Sequence, residues 1–133
     1  MLNKLNQRRG GFTLVEIMIV VAIIALLAAI AVPGFLRARK RSQASRVLND
    51  LRLIDSAVDQ YAIENNKGTA ASVPVAAWTA YLKDGTALYK TGADLFLANY
   101  GTQTVDTLPS VPAATFNTLS DVAPSTFWAP YYR

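Results

Sequence analysis

The sequence predicts an α+β fold: one long N-terminal α-helix followed by a small C-terminal region of short helix and short β-strands. Three observations carry this. Residues 12–36 form an apolar run broken by one charge. Residues 37–66 place apolar side chains at helical spacing. Residues 67–133 are rich in Gly, Pro, Thr, Ser and aromatic residues, which mark turns and short elements.

The apolar run is FTLVEIMIVVAIIALLAAIAVPGFL, with Glu16 its sole charged residue. At 1.5 Å per residue its 25 residues span about 37 Å, enough to cross a bilayer core of about 30 Å. A plain membrane anchor satisfies the length, whereas a buried helix of a soluble core does not. Ala22, Ala25, Ala28, Ala29 and Ala31 keep parts of its surface small enough for other helices to approach closely. Pro33 cannot donate to the carbonyl of Ala29, so a bend is expected there.

After Leu36 the helical pattern continues with different chemistry. Ala44, Val47, Leu48, Leu51, Ile54, Val58, Tyr61 and Ala62 make an amphipathic stripe, with Arg46, Asn49, Asp50, Ser56, Gln60 and Glu64 on the other side. Asp55 intrudes on the stripe and is expected to pair with Arg52 one turn earlier. Gly68 after Asn65-Asn66-Lys67 is read as the stop, so the helical element covers roughly 12–65.

The tail is expected to pack on that stripe, because about 67 residues are marginal for folding alone. Residues 74–83 suit a short helix, with Val75, Trp78 and Leu82 on one face and Asp84-Gly85 as its stop. Residues 95–100, 114–119 and 126–132 read as short strands or extended pieces. Pro109, Pro112, Pro124 and Pro130 keep them short.

Composition narrows the function. The chain has 133 residues, is 52% hydrophobic and contains neither Cys nor His. Disulfides, thiolate zinc sites and His-dependent acid–base chemistry are excluded, and no enzyme activity is expected. The net charge of +4 includes Lys4, Arg8 and Arg9; without those three it falls to +1, so nucleic-acid binding is not expected. No cofactor is expected. Asp94, Asp106 and Asp121 are spaced by 12 and 15 residues, a poor basis for a calcium cage. Trp78, Tyr81, Phe127, Trp128, Tyr131 and Tyr132 suit a core better than a sugar-binding platform on a tethered module.

A basic start before an apolar run first suggests a secretory signal peptide, with Ala29-Ile30-Ala31 as its cut site. The run exceeds the usual apolar length of about 7–15 residues, contains Glu16, and is followed by Arg37, Arg39, Lys40 and Arg41, which hinder translocation. The other place to cut is before the run, between Gly11 and Phe12. Here Gly11-Phe12-Thr13-Leu14-Val15-Glu16, continuing as IMIVVAIIALLAAIAVP to Pro33, resembles the class III signal of type IV pilins and type II secretion pseudopilins. About 25 contiguous residues carry the likeness strongly, and residues 37–65 share its general character.

The resemblance implies a pilin-like fold and the following boundaries: leader 1–11, transmembrane and filament-core helix 12–36, amphipathic helix 37–66, globular region 67–133. It implies that a membrane aspartyl protease cuts after Gly11 and methylates the amine of Phe12. It makes Glu16 the assembly carboxylate and Pro33 the helix kink. It places the precursor in the inner membrane, single-pass with the N-terminus cytoplasmic, surrounded by lipid until an assembly platform extracts it into a homo-oligomeric helical filament, periplasmic or extracellular. Glu16 mid-membrane costs about 2.5–3.5 kcal/mol on insertion scales, and pairing with the Phe12 amine of a neighbour relieves it. One departure is Ala25, where the family commonly has glycine. Alanine favours helix by about 0.8–1 kcal/mol, against the local melting up to Pro33 seen in some family filaments. The motif does not separate pilus from pseudopilus. The short, cysteine-free chain tilts towards a pseudopilin of protein secretion; a pilin for adhesion, motility or DNA uptake is the alternative.

Overall fold

A computed structural model of the chain describes residues 10–132. The basic leader residues Lys4, Arg8 and Arg9 lie outside the described residues. The architecture is α+β and pilin-like. Helix α1 (Leu14–Glu64, 51 residues) is followed by short elements: β1 (Ser72–Val73), α2 (Val75–Thr79), α3 (Ala87–Thr91), β2 (Gln103–Thr104), α4 (Ala113–Leu119) and a 3-10 turn at Ser125–Trp128. The chain divides into two compact units, residues 1–36 and 37–133.

In the first unit, no side chain from Leu14 to Leu36 is buried. The helix is long and apolar enough to cross a membrane. It is uninterrupted from Ala25 through Pro33, which sits inside α1. The alanine at position 25 fits that continuity, since glycine there would forfeit about 1 kcal/mol of helix propensity.

In the second unit, the periodic stripe becomes the core. Ala44, Val47, Leu51, Ile54, Ala57, Val58 and Ala62 are buried, and Leu48 and Tyr61 pack against them partly exposed. The tail covers this stripe with Val73, Trp78, Leu88, Val105, Leu119 and Trp128, among others. Both indoles are fully buried and satisfied: Trp78 Nε1 donates to the Gly101 carbonyl at 3.2 Å and Trp128 Nε1 to that of Ala123 at 3.0 Å. A buried indole with its N–H paired is a core residue and presents no face to a sugar.

The helix stop differs from the expected one. Asn66 holds the left-handed conformation (φ 48°), and Lys67 N–H reaches back to the Ala62 carbonyl at 2.9 Å. This is a Schellman termination with Asn, not Gly68, in the special position. Asp55 makes no ion pair with Arg52; among the described residues the sole ion pair is Lys40–Asp121 at 2.8 Å. Burial, and then the nearby Asp59 carboxylate, push the Asp55 pKa upward.

Several expected elements are corrected. Residues 114–119 are helical in α4, and 126–128 belong to a 3-10 turn. Residues 95–100 form a turn closed by an isolated bridge between Ala93 and Asn99. The strands lie elsewhere: β1 and β2 pair antiparallel, with Ser72 opposite Thr104 and Val73 opposite Gln103. The helix expected at 74–83 is shortened to Val75–Thr79, with Gly85 beyond it at φ 84°.

Candidate functional site

Residues 10–13 have no regular structure and are exposed. A Cβ on Gly10 or Gly11 would meet nothing within 4 Å. The Gly11–Phe12 bond therefore sits in exposed chain without regular structure, two residues before α1 begins. Phe12 is 86% exposed.

The start of α1 is fixed by a reciprocal cap. Glu16 N–H donates to Thr13 Oγ1 at 3.2 Å. Thr13 N–H and Thr13 Oγ1 donate to Glu16 Oε2 at 2.7 and 3.0 Å. Thr13-Leu14-Val15-Glu16 is thus a capping box, a Ser/Thr and a Glu three residues apart satisfying each other's backbone donors. The helix N-terminus adds favourable partial positive charge near the carboxylate. Both bonds to the Glu16 carboxylate fall on Oε2, and among the described residues Oε1 accepts none. The sequence reading gave Glu16 an assembly role but missed this box, although the T-x-x-E spacing displays it.

Beyond Glu16 the helix offers no charge before Arg37. Leu14, Ile30 and Phe35 are 79%, 75% and 67% exposed. An apolar cylinder with a single carboxylate at its capped end is long and apolar enough to cross a membrane.

The second unit adds polar anchors. Lys40 pairs with Asp121, whose pKa is lowered chiefly by that hydrogen bond, and Arg41 lies 6.0 Å from the Phe127 ring centroid. Asp94 is buried and accepts from Phe96 N–H (2.8 Å), Ala98 N–H (3.0 Å) and the Thr115 hydroxyl. Asp106 accepts from Thr69 Oγ1 at 2.6 Å. Asp94, Asp106 and Asp121 thus each have a separate partner and are not brought together. Among the described residues no group of three metal-capable side chains occurs. A groove of about 650 Å³ opens between α1 and the α2–α3 segment, lined by Asn49, Asp50, Leu53, Tyr81 and Asp94 among others.

The Prokaryotic N-terminal methylation motif matches residues 6–32. The chain is 42% identical over 65 residues to the type IV major pilin protein PilA of Myxococcus xanthus, covering 49% of this chain and 30% of that protein. It is 36% identical over 61 residues to the type II secretion system core protein G of Klebsiella pneumoniae, covering 46% and 44%. It is 45% identical over 64 residues to the type IV major fimbrial protein FimA of Dichelobacter nodosus, covering 48% and 41%. The match thus spans less than half the length of each of these relatives. No solved structure matches the chain. The methylation motif lies over the capped start of α1, and the N-terminal half of the chain is similar to both type IV pilins and type II secretion core proteins G.

Proposed function

We propose that this chain is the precursor of a filament subunit, cut after Gly11, methylated at Phe12 and polymerised through the first half of α1. One observation carries the reading: Leu14–Leu36 buries nothing within its own chain and holds one carboxylate, at its capped end. Such a surface needs lipid first and neighbouring copies afterwards. The precursor sits in the inner membrane with its leader in the cytoplasm, and the filament is periplasmic or extracellular. The chain has a structural role and no enzymatic one.

Cutting at Gly11 turns the Phe12 nitrogen into an ammonium, and methylation keeps its charge. That ammonium, from a neighbouring copy, is the donor suited to Oε1 of Glu16, which accepts no hydrogen bond among the described residues. In a low-dielectric core an unpaired charge is strongly penalised, so the pair sets the register of one subunit against the next. While the subunit is alone, the Thr13 bonds to Oε2 partly compensate the carboxylate. The partners in this reading are a prepilin peptidase and methyltransferase and an inner-membrane assembly platform.

Glu16→Ala tests it. Processing continues, because the exposed Gly11–Phe12 bond is untouched, and filaments disappear from electron micrographs. Abundant normal filaments from that variant would refute the pairing role. Between the two kinds of filament we favour the secretion pseudopilus, on the short chain without cysteine. Deleting the gene should then trap an exported protein in the periplasm; loss of surface adhesion or motility with secretion intact would assign a pilus.

A further inference from the structure

Charge is distributed along α1 in a pattern that capping and packing do not explain. Between Glu16 and Asp50 the chain carries no acidic residue. Residues 17–36 are free of cations as well. Those 20 residues extend about 30 Å as helix, the thickness of a hydrocarbon core. Five cations then follow within ten residues: Arg37, Arg39, Lys40, Arg41 and Arg46.

The first four form a collar. Arg37 and Arg41 are four residues apart, about 6 Å along the helix. The polar layer on each face of a bilayer is about 5–8 Å deep, from a core of about 30 Å and a whole of about 40–45 Å. With residues 17–36 in the hydrocarbon, the collar begins where the hydrocarbon ends and is as deep as the headgroup layer. At 3.6 residues per turn Arg39 lies across the helix from Arg37 and Arg41, so cations meet headgroups on more than one side.

Lys40 is paired with Asp121 at 2.8 Å. Arg37, Arg39 and Arg41 are exposed, and none makes an ion pair among the described residues. Arg41 lies 6.0 Å from the Phe127 ring centroid, a contact that places the guanidinium without neutralising it. Solvation alone would be served as well by mixed signs, and like charges one turn apart, at Arg37 and Arg41, repel each other. Arginine suits phosphate in particular, because its planar fork takes two oxygens at once.

We propose that Arg37, Arg39 and Arg41 bind the phosphates of anionic phospholipid headgroups at the outer face of the inner membrane, and so fix the depth of the helix until the subunit is extracted. This rests on the membrane insertion in the reading above and names the lipid class that the inserted chain selects. In that orientation the collar lies on the side to which cationic segments cross reluctantly, and an anionic headgroup is the compensating partner there. Each cation near an anionic surface adds about fivefold to affinity, so three add roughly 100-fold. A nucleic-acid duplex fits less well, because the collar is short and abuts an apolar run that no duplex would cover.

The test offers the full chain, in nonionic detergent, equal amounts of phosphatidylglycerol and phosphatidylethanolamine, and reads bound lipid by native mass spectrometry. The unmodified chain should retain phosphatidylglycerol in preference. Arg37→Gln, Arg39→Gln and Arg41→Gln together should lower its apparent affinity for that lipid by roughly 100-fold and leave phosphatidylethanolamine little changed. The single substitutions, each worth about fivefold, give the same answer should the triple variant fold poorly. Equal retention of the two lipids by the unmodified chain would overturn the proposal. So would a preference that survives these glutamines but is lost in Lys4→Gln, Arg8→Gln, Arg9→Gln, which would place the lipid at the leader. Displacement of the lipid by glycerol 3-phosphate, or by a short DNA duplex at equal phosphate concentration, would overturn it too, by assigning the collar to soluble phosphates or to nucleic acid. Release of the chain from membranes by alkaline carbonate would instead remove the membrane reading, and the collar contact with it.

Discussion

Replacing Asp94 with alanine removes the acceptor that organises the tail. Three donors then lose their partner: the N–H groups of Phe96 and Ala98, both half-buried, and the hydroxyl of Thr115, fully buried. An orphaned buried donor costs about 1–3 kcal/mol, with partial exposure lowering the figure for the two amides. A total of about 3 kcal/mol follows. For a unit of roughly 100 residues each kcal/mol moves the melting temperature by about 4–8 °C, so Asp94→Ala should lower it by roughly 12–24 °C. Asp94→Asn keeps the volume and one carbonyl acceptor but loses the charge, and should cost about 1–1.5 kcal/mol. The assay is thermal unfolding of the full chain in detergent, followed by near-ultraviolet circular dichroism of Trp78 and Trp128, both wholly buried. A shift below about 4 °C for Asp94→Ala would show that water satisfies these donors, and the Asp94 clamp on Phe96, Ala98 and Thr115 would lose its physical basis.

Gly92 and Gly101 separate crowding from backbone strain. Both have positive φ (61° and 69°), but a Cβ on Gly92 would lie 2.5 Å from Val75 Cγ1, and one on Gly101 would meet nothing within 4 Å. Gly92→Ala should cost about 2–4 kcal/mol and Gly101→Ala about 1, read as melting shifts. Equal shifts would contradict the packing of α2 against α3. Asp55 and Asp121 should respond to pH with opposite signs. Burial raises the Asp55 pKa, so the unfolded chain ionises first and stability is lost as pH rises above the ordinary value of about 3.9. Asp55→Asn therefore raises the melting temperature at pH 7 and changes it little near pH 3. The Lys40 bond lowers the Asp121 pKa, giving stability that is present above about 3.9 and lost as pH falls through the lowered value. Asp121→Asn should thus lower the melting temperature at pH 7, with the difference fading in acid. The reverse pattern in either variant would contradict these environments. Gly11→Val should leave full-length precursor on immunoblots, because a branched side chain obstructs the peptidase at this exposed segment; normal processing would move the cut site.

The long helix was legible because its signals are long. Twenty-five apolar residues and a stripe from Ala44 to Ala62 repeat one message many times. The tail was not, because its elements are short. Strands of two residues leave no alternation to read, and their pairing joins Val73 to Gln103 across 30 positions. Residues 114–119 carry β-branched and aromatic side chains, yet Thr115 and Leu119 are buried four apart on α4, a helical spacing. The Asp94 clamp draws on Thr115, 21 residues away, and nothing local announces it. At the candidate site, Gly11, Phe12 and Glu16 were singled out by the motif. The Thr13–Glu16 box is equally visible in the T-x-x-E spacing, because its bonds are local.

The mass of the N-terminal peptide of the mature protein, purified from sheared filaments, is the most direct measurement. A peptide beginning with N-methylated Phe12 is the predicted result. A mature chain that retains residues 1–11, or one that begins past Ala31, would contradict the processing on which filament assembly depends.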